Sequence, residues 1–319
     1  MEVTTNKTDS GATKKKRQHY LSEFYLRAFV DPYNKPYVWL YEKGNKIIRK
    51  ASPKDLCVLK EYYSFTTLEG EKDSETFENF LAMIETKVAP IFKKIEIGKI
   101  PEEDEKWWCS FFIAFMITRV PNFRDNVENG VADFIRNFSK NCASYPESFK
   151  FSVEQAEREK GKKLDKTPEE LRKYILGDNY NIEVNPQFSL GMTTLARDLA
   201  PVLFKMKWRF LRATDEYKFV TCDNPVYRID PNPGPPPFDG VGLLNRNIEV
   251  TFPVSKDLTI LCKWEGVEQY IQTNNNQVKV INRRTISSAS RFVFASVKLE
   301  GLNRLVQKYK DTAPQLVVT

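Results

Sequence analysis

One segment of the chain is apolar on nearly every side at helical spacing, and it constrains the fold more than any other feature. It begins at Pro101 with three carboxylates in its first turn, and it stops before Pro121. Its apolar positions are Trp107, Trp108, Phe111, Phe112, Phe115 and Met116. A helix that is apolar all round is stable only when other elements surround it. We therefore predict that residues 101–118 form the central helix of a core, with Trp108 and Phe112 deeply buried.

Helical and alternating patterns in the rest of the chain predict further elements. Helical spacing predicts helices at 18–29, 73–97, 123–141, about 152–161, about 168–176, 188–206 and 274–290. Strand patterns predict a hairpin at 37–48, a pair of strands at 208–213 and 218–221, and strands at 248–252, 258–263 and 291–297. The elements do not alternate strictly as β-α-β, so we predict an α+β fold. It has a helical core, a flanking β-hairpin and a small antiparallel or mixed sheet from the C-terminal half.

Changes in composition along the chain predict its domain organisation. Residues 1–17 are polar and without periodicity, with five Lys or Arg against two Asp or Glu, and we expect a disordered basic tail. We expect residues 18–319 to form a single α+β domain. A densely charged segment at about 143–187 predicts a helical insertion in this domain, and the proline-rich segment 230–240 predicts an exposed loop.

The cysteine and histidine content excludes several classes of site. The 319 residues include five Cys and one His, and no two cysteines are spaced as a CxxC pair. A His-rich zinc site is therefore excluded, and a catalytic Ser-His or Cys-His pair could use only His19. An odd number of cysteines in a long chain is typical of reduced thiols. The polar N-terminus and the short apolar runs predict neither a signal peptide nor a membrane span, so we expect a cytoplasmic protein without a membrane partner.

The formal net charge of +7 comes mainly from the two ends of the chain. A basic excess favours nucleic acid or another polyanion as a partner. The alternative is that the basic tail is only a solvated leader.

His19 is the only side chain whose ordinary pKa lies near neutrality, which makes it a candidate general acid or base. It stands at the start of the first predicted helix. The alternative is a histidine that is hydrogen-bonded to the backbone and helps to cap that helix.

Asp223 and Asn224 follow a predicted strand in the sequence Thr-Cys-Asp-Asn-Pro. Catalytic carboxylates are often displayed at such strand ends, and Asp223 could be a metal ligand, a general base or the group that orients another side chain. The alternative is an Asx-turn, in which Asp223 or Asn224 bonds its own backbone.

Arg119 lies at the end of the central helix, where it could clamp a phosphate or pair with a carboxylate. Glu85 lies beside the apolar stripe of the preceding helix. An ion pair between Glu85 and Arg119 is as well supported by the sequence as a catalytic role for either residue.

The segment from Gln18 to Phe29 resembles the opening of a bacterial family known as domain of unknown function 4238, with Ser22 where that family usually has proline. Further segments resemble the family's motifs in the same order: Trp39-Leu40-Tyr41, the helix that contains Glu85, Phe115–Pro121, Thr221–Pro225, Phe252–Ser255, Ile281–Arg283 and Ala289–Val293. The resemblance covers about residues 18–308 and implies no established activity. It does imply that His19, Glu85, Arg119, Asp223 and Asn224 match family motifs. Since buried polar groups must be paired, these residues form either a site or a satisfied network.

Two kinds of function follow from these residues. The first is a nuclease-like hydrolase that acts on nucleic acid or another phosphate-containing substrate. In it, Glu85 and Asp223 would hold Mg²⁺ or position water, His19 would transfer protons and Arg119 would bind phosphate. The second is a non-catalytic module that binds nucleic acid or protein, for example in a bacterial defence or toxin-like system. The two differ in whether His19, Arg119 and Asp223 surround one open pocket.

Overall fold

A computed structural model describes residues 17–232 and 242–314, and it confirms the predicted α+β class. The helices are α1 (Glu23–Arg27), α2 (Thr76–Glu96), α3 (Glu103–Thr118), α4 (Pro121–Ala143), α5 (Pro146–Lys160), α6 (Pro168–Gly177), α7 (Pro186–Met192), α8 (Ala196–Lys205), α9 (Asn275–Ser288) and α10 (Glu300–Lys308). The strands are β1 (Arg17–His19), β2 (Val38–Glu42), β3 (Asn45–Ala51), β4 (Val58–Lys60), β5 (Phe65–Thr66), β6 (Lys72–Asp73), β7 (Lys207–Arg212), β8 (Thr221–Cys222), β9 (Tyr227–Ile229), β10 (Glu249–Ser255), β11 (Leu258–Lys263), β12 (Gln269–Gln272) and β13 (Phe292–Ala295).

Helix α3 is the central helix, as its apolar sequence predicts. It packs against α2 and α8, and nearly every residue from Cys109 to Thr118 is buried. Its first turn is closed by a capping box between Glu102 and Glu105. Phe112 is 1% exposed, but Trp108 is only half-buried. The prediction for Trp108 is wrong because the N-terminal end of α3 reaches the surface.

Two sheets flank this helical core. One has five strands in the order β12-β7-β11-β10-β9, and the other has four in the order β3-β2-β13-β8. The predicted hairpin at 37–48 is β2–β3, and the predicted strands at 248–252 and 258–263 are the antiparallel pair β10–β11. The small pairs β1–β4 and β5–β6 complete the strand pairing.

The predicted pairing of strands 208–213 and 218–221 is wrong, because β7 and β8 belong to different sheets. Strand β7 pairs with β11 and β12, whereas β8 pairs with β13. The connection between them is bonded to the β10–β11 turn instead. Ala213 N–H donates to the carbonyl of Asp257, and Phe219 N–H donates to the carbonyl of Lys256.

The first predicted helix is also shorter than expected. Residues Arg17–His19 form β1, which pairs with β4, and α1 begins only at Glu23. Arg17, the last residue of the predicted tail, is thus the first residue of β1. Residues 1–16 lie outside the described part of the chain.

The charged insertion contains the two predicted helices, α5 and α6. They pack against the end of α4 through a small apolar cluster made of Ala143, Phe149, Val153, Leu171 and Ile175. Most of the predicted proline-rich loop, residues 233–240, lies outside the described residues. Among the residues that are described, no helix is both long and apolar enough to cross a bilayer.

Candidate functional site

Arg119 is buried at the C-terminal end of α3 and is paired with Glu85 of α2. The guanidinium is 1% exposed, and its Nη1 lies 2.9 Å from Glu85 Oε1. Its Nη2 donates to Ser22 Oγ at 2.7 Å, and Ser22 Oγ donates to the same Glu85 oxygen at 2.6 Å. The ion pair considered from the sequence is therefore present. It joins α1, α2 and α3, since Ser22 precedes α1.

The surroundings of Arg119 also hold the guanidinium in place. The ring of Phe112 lies 5.5 Å from the guanidinium carbon, and Met116 Sδ lies 3.0 Å from Nη2. Tyr62 Oη donates to the backbone carbonyl of Arg119 at 3.0 Å. Both terminal nitrogens therefore have protein partners, whereas the buried Nε of Arg119 has none among the described residues. Phosphate binding by Arg119 stays a prediction.

His19 lies apart from this ion pair, on β1. Its Nε2 is 3.1 Å from the backbone carbonyl oxygen of Lys54, which can only accept, so Nε2 carries the proton of this hydrogen bond. The expectation that His19 caps a helix is wrong, because α1 begins four residues later. His19 is bonded to the backbone, as the alternative proposed, but this bond joins β1 to the segment before β4.

Asp223 is bonded to a distant part of the backbone. Its Oδ1 accepts from the N–H of Ser290 at 2.8 Å, and its Oδ2 accepts from Arg291 at 2.8 Å and Phe292 at 3.0 Å. Burial raises the pKa of the Asp223 carboxyl to about 6, although the three N–H donors and the charge of Lys43 oppose this rise. The carboxylate thus fixes the connection between α9 and β13. A local Asx-turn is not its role.

Asn224 extends the same connection. Its Nδ2 donates to the carbonyl of Ser288 at 3.1 Å and to Asn122 Oδ1 at 3.2 Å. Its own carbonyl accepts from Ser288 Oγ at 2.8 Å and from the Cys222 thiol at 3.0 Å. The Asp-Asn pair therefore ties β8 to the end of α9 and the start of α4.

The pKa of the Cys57 thiol depends on the charges of both Asp223 and Arg119. Burial raises the pKa of its thiol well above the ordinary value, and the charge of Asp223 raises it further, whereas a hydrogen bond from Tyr20 and the charge of Arg119 lower it. A thiol in this environment stays protonated at neutral pH and is a poor nucleophile.

We call Ser22, Glu85, Arg119, Asp223 and Asn224 the polar interior. Arg119 bonds Glu85 and Ser22, Asp223 bonds backbone N–H groups, and His19 bonds a carbonyl, so no hydrogen bond joins any two of His19, Arg119 and Asp223. Within the described ranges, no group of three or more His, Cys, Asp or Glu side chains could hold a metal ion. The Mg²⁺ site at Glu85 and Asp223 stays a prediction.

A different surface carries exposed side chains that suit a ligand, and sequence reasoning missed it. We call it the aromatic–lysine patch, and it consists of Tyr33, Tyr37, Trp39, Lys50 and Lys298. Tyr33 is 92% exposed and Tyr37 is 42% exposed. The ammonium groups of Lys50 and Lys298 lie 5.1 and 5.7 Å from the ring centroid of Trp39. Lys50 comes from β3 and Lys298 from the segment after β13, so only the tertiary structure brings them together.

Asp31 holds the aromatic loop of this patch in place. It is 5% exposed and accepts hydrogen bonds from Trp39 Nε1 at 2.9 Å, the Tyr33 backbone N–H at 2.8 Å and Asn34 Nδ2 at 2.8 Å. Tyr37 directly precedes β2, and Trp39 is the second residue of that strand. The signal in the sequence is the segment Pro-Tyr-Asn-Lys-Pro-Tyr, whose two tyrosines fit no helical stripe.

Comparisons with known proteins identify a family without a described activity. A family model described as protein of unknown function (DUF4238) matches residues 17–298. No curated protein and no solved structure matches the chain.

Proposed function

The chain belongs to the DUF4238 family, and we propose that it is a non-catalytic module that binds single-stranded nucleic acid through the aromatic–lysine patch. The observation that carries this proposal is the exposure of Tyr33 and Tyr37 beside two lysines that flank Trp39. Proteins that bind single strands combine aromatic side chains, on which bases stack, with cations that follow the phosphates.

The polar interior supports a binding role over a hydrolytic one. Its charged groups are engaged in bonds that join helices and strands, and Arg119 has both terminal nitrogens bonded within the protein. A residue that clamps a phosphate needs donors that point to solvent or to a pocket. The lysines of the patch meet this requirement, because Lys50 and Lys298 are exposed. The Lys50 ammonium donates to Asn34 Oδ1 and keeps two further N–H groups for a ligand.

Fluorescence polarisation with labelled oligo(dT) and oligo(U), each with and without Mg²⁺, tests the proposal. We expect binding that weakens about sevenfold between 50 and 200 mM salt, since two phosphate contacts, one for each lysine, release condensed counterions from a single strand. Replacing both Tyr33 and Tyr37 by alanine should weaken binding at least about 30-fold, because each of the two stacked bases contributes about 1–3 kcal/mol. The double variant Lys50→Gln/Lys298→Gln should weaken binding and reduce its salt dependence.

Matched controls lie on the helical insertion. Tyr145 and Phe151 are 64% and 62% exposed, and their replacement by alanine should leave binding unchanged. Lys162→Gln/Lys163→Gln removes two exposed charges elsewhere. Equal loss in the control and patch variants, or no binding by the wild-type protein, would contradict the proposal. Cleavage of the oligonucleotide by the wild-type protein would favour the hydrolase instead.

A further inference from the structure

A cavity of about 550 Å³ opens where the four-stranded sheet comes apart. Strands β8 and β13 pair only at Cys222 with Val293 and at Thr221 with Phe294. Beyond these pairs, the chain before β8 and the chain after β13 diverge, and α9 and α10 flank the space between them. We call this space the α9 cavity. Its volume lies within the range of small-molecule binding pockets, roughly 300–1,000 Å³.

The walls of the α9 cavity are largely apolar on one side. Val220 and Ala295 belong to a buried cluster, and Leu302 and Leu305 of α10 pack against that cluster. These four side chains offer a surface for the apolar body of a ligand.

Several polar residues of the lining already have partners in the protein. Asn282 accepts from the Val220 N–H at 3.1 Å and donates to the carbonyl of Lys218 at 2.9 Å. The Lys218 ammonium lies 2.9 Å from Asp257 Oδ1, and Glu216 accepts from Asn275 at 2.6 Å. These bonds hold the diverging segment before β8 in place, so they shape the cavity and leave its other polar groups for a ligand.

Two cations on α9 lack an anionic partner. Lys279 and Arg283 both line the cavity and are four residues apart, so they lie on one face of the helix. The Lys279 ammonium nitrogen lies 4.3 Å from the centroid of the Tyr217 ring. Neither Lys279 nor Arg283 makes a hydrogen bond or an ion pair with a described residue. Two like charges at this spacing destabilise a helix unless an anion lies between them.

A buried hydroxyl without a partner belongs to one of the residues that line the cavity. Ser296 lines the cavity and is 1% exposed, and its Oγ has no hydrogen-bond partner within the described part of the chain. A buried hydroxyl without a partner costs free energy, and a bound molecule that reaches it would remove that cost.

We infer that the α9 cavity binds a small organic anion with an apolar body. The anionic head lies between Lys279 and Arg283, where a guanidinium can form a bidentate bond to a carboxylate or phosphate. The apolar body lies against Val220, Leu302 and Leu305. Lys298 of the aromatic–lysine patch lies between Val297 and Leu299, which line the cavity, so the two sites adjoin. The proposed contacts to the anion use other residues, and the inference does not depend on nucleic-acid binding.

Competition with a fluorescent amphiphilic anion, 1-anilinonaphthalene-8-sulfonate, tests the inference on the full chain. Octanoate should displace the dye at a lower concentration than 1-octanol, which has the same chain length and no charge. The double variant Lys279→Gln/Arg283→Gln should weaken octanoate binding about tenfold and leave the affinity for 1-octanol unchanged. Lys308→Gln/Lys310→Gln, on exposed positions outside the cavity, is the matched control and should bind octanoate like the wild type.

A second variant tests the location without removing charge. Gly301 lies on α10 and lines the cavity, and a Cβ added there meets only the Arg304 guanidinium at 3.8 Å, an ordinary contact. Gly301→Leu should keep the helix and weaken the binding of both octanoate and 1-octanol. Octanoate and 1-octanol of equal affinity in the wild type would overturn the anionic part of the inference. Unchanged octanoate binding in both variants would overturn the site.

Discussion

Arg119 in the polar interior and Arg283 at the α9 cavity show how differently one residue type is used in this protein. Arg119 is 1% exposed and bonds Glu85 and Ser22, whereas Arg283 is exposed and has no partner among the described residues. The first arginine lies within an apolar run that draws attention in the sequence, and the second does not. The difference teaches that a charged residue in an apolar segment can be held by bonds within the fold, here through both terminal nitrogens of Arg119 but not through its buried Nε. A charged residue without partners is the one available to a ligand.

The largest expected effect comes from breaking the buried ion pair. Arg119→Met leaves the Glu85 carboxylate without its counter-charge, and we expect a loss of about 3–5 kcal/mol in the free energy of unfolding, measured by urea denaturation. The control is Arg27→Gln, which removes an exposed pair with Glu23 at 2.6 Å and should cost less than about 1 kcal/mol. If Arg119→Met lowered the free energy of unfolding no more than its control, the pair with Glu85 would not stabilise the fold. The contrast with Arg283 would then disappear.

The second prediction concerns Asp223 and pH. Its pKa is about 6 in the fold against an ordinary 3.8, so between these values the folded state holds a proton that the unfolded chain has released. Stability contributed by this group is therefore present below about pH 4 and lost as the pH rises through 6. A shift of about two pKa units corresponds to a full contribution of about 3 kcal/mol to the free energy of unfolding.

The comparison of wild type with Asp223→Asn isolates this titration, because other carboxylates change alike in both proteins. Urea denaturation from pH 4 to pH 7.5 should show the wild type losing about 2.4 kcal/mol relative to the variant. A relative gain of the wild type with pH would instead mean that the backbone N–H groups at Ser290, Arg291 and Phe292 dominate, and that its pKa in the fold is below the ordinary value.

The smallest effect on stability is expected at the aromatic–lysine patch. Tyr33→Ala should change the free energy of unfolding by less than about 0.5 kcal/mol, since 92% of the residue is already exposed. Tyr63→Ala is the matched control, because Tyr63 is 1% exposed and its hydroxyl donates to the carbonyl of His19 at 3.1 Å. That variant should lose about 3–5 kcal/mol in the same assay. A large loss in Tyr33→Ala would show that the loop is part of the framework rather than a binding surface.

Local patterns predicted most of the helices and both long hairpins. The apolar stripe of α2 and the all-round apolar sequence of α3 depend on spacing within one element, and so do the alternating residues of β10 and β11. Such spacing fixes which side of an element must be buried, whatever it packs against. The Glu85–Arg119 pair was open to prediction for the same reason, since both residues stand beside apolar stripes that must face each other.

Only the tertiary structure decided which strands pair and which polar groups are satisfied. The partner of β1 lies about 40 residues away in β4, and β8 joins β13 rather than its neighbour in sequence, β7. The carboxylate of Asp223 bonds N–H groups 67 to 69 residues further along the chain. Strand pairing and the bonding of buried polar groups depend on contacts between distant segments, and local spacing holds no record of them. The sequence by itself therefore determined the elements and their apolar faces. The fold decided which distant groups Arg119, Asp223 and Asn224 bond, and that the side chains of Tyr33 and Arg283 lie exposed.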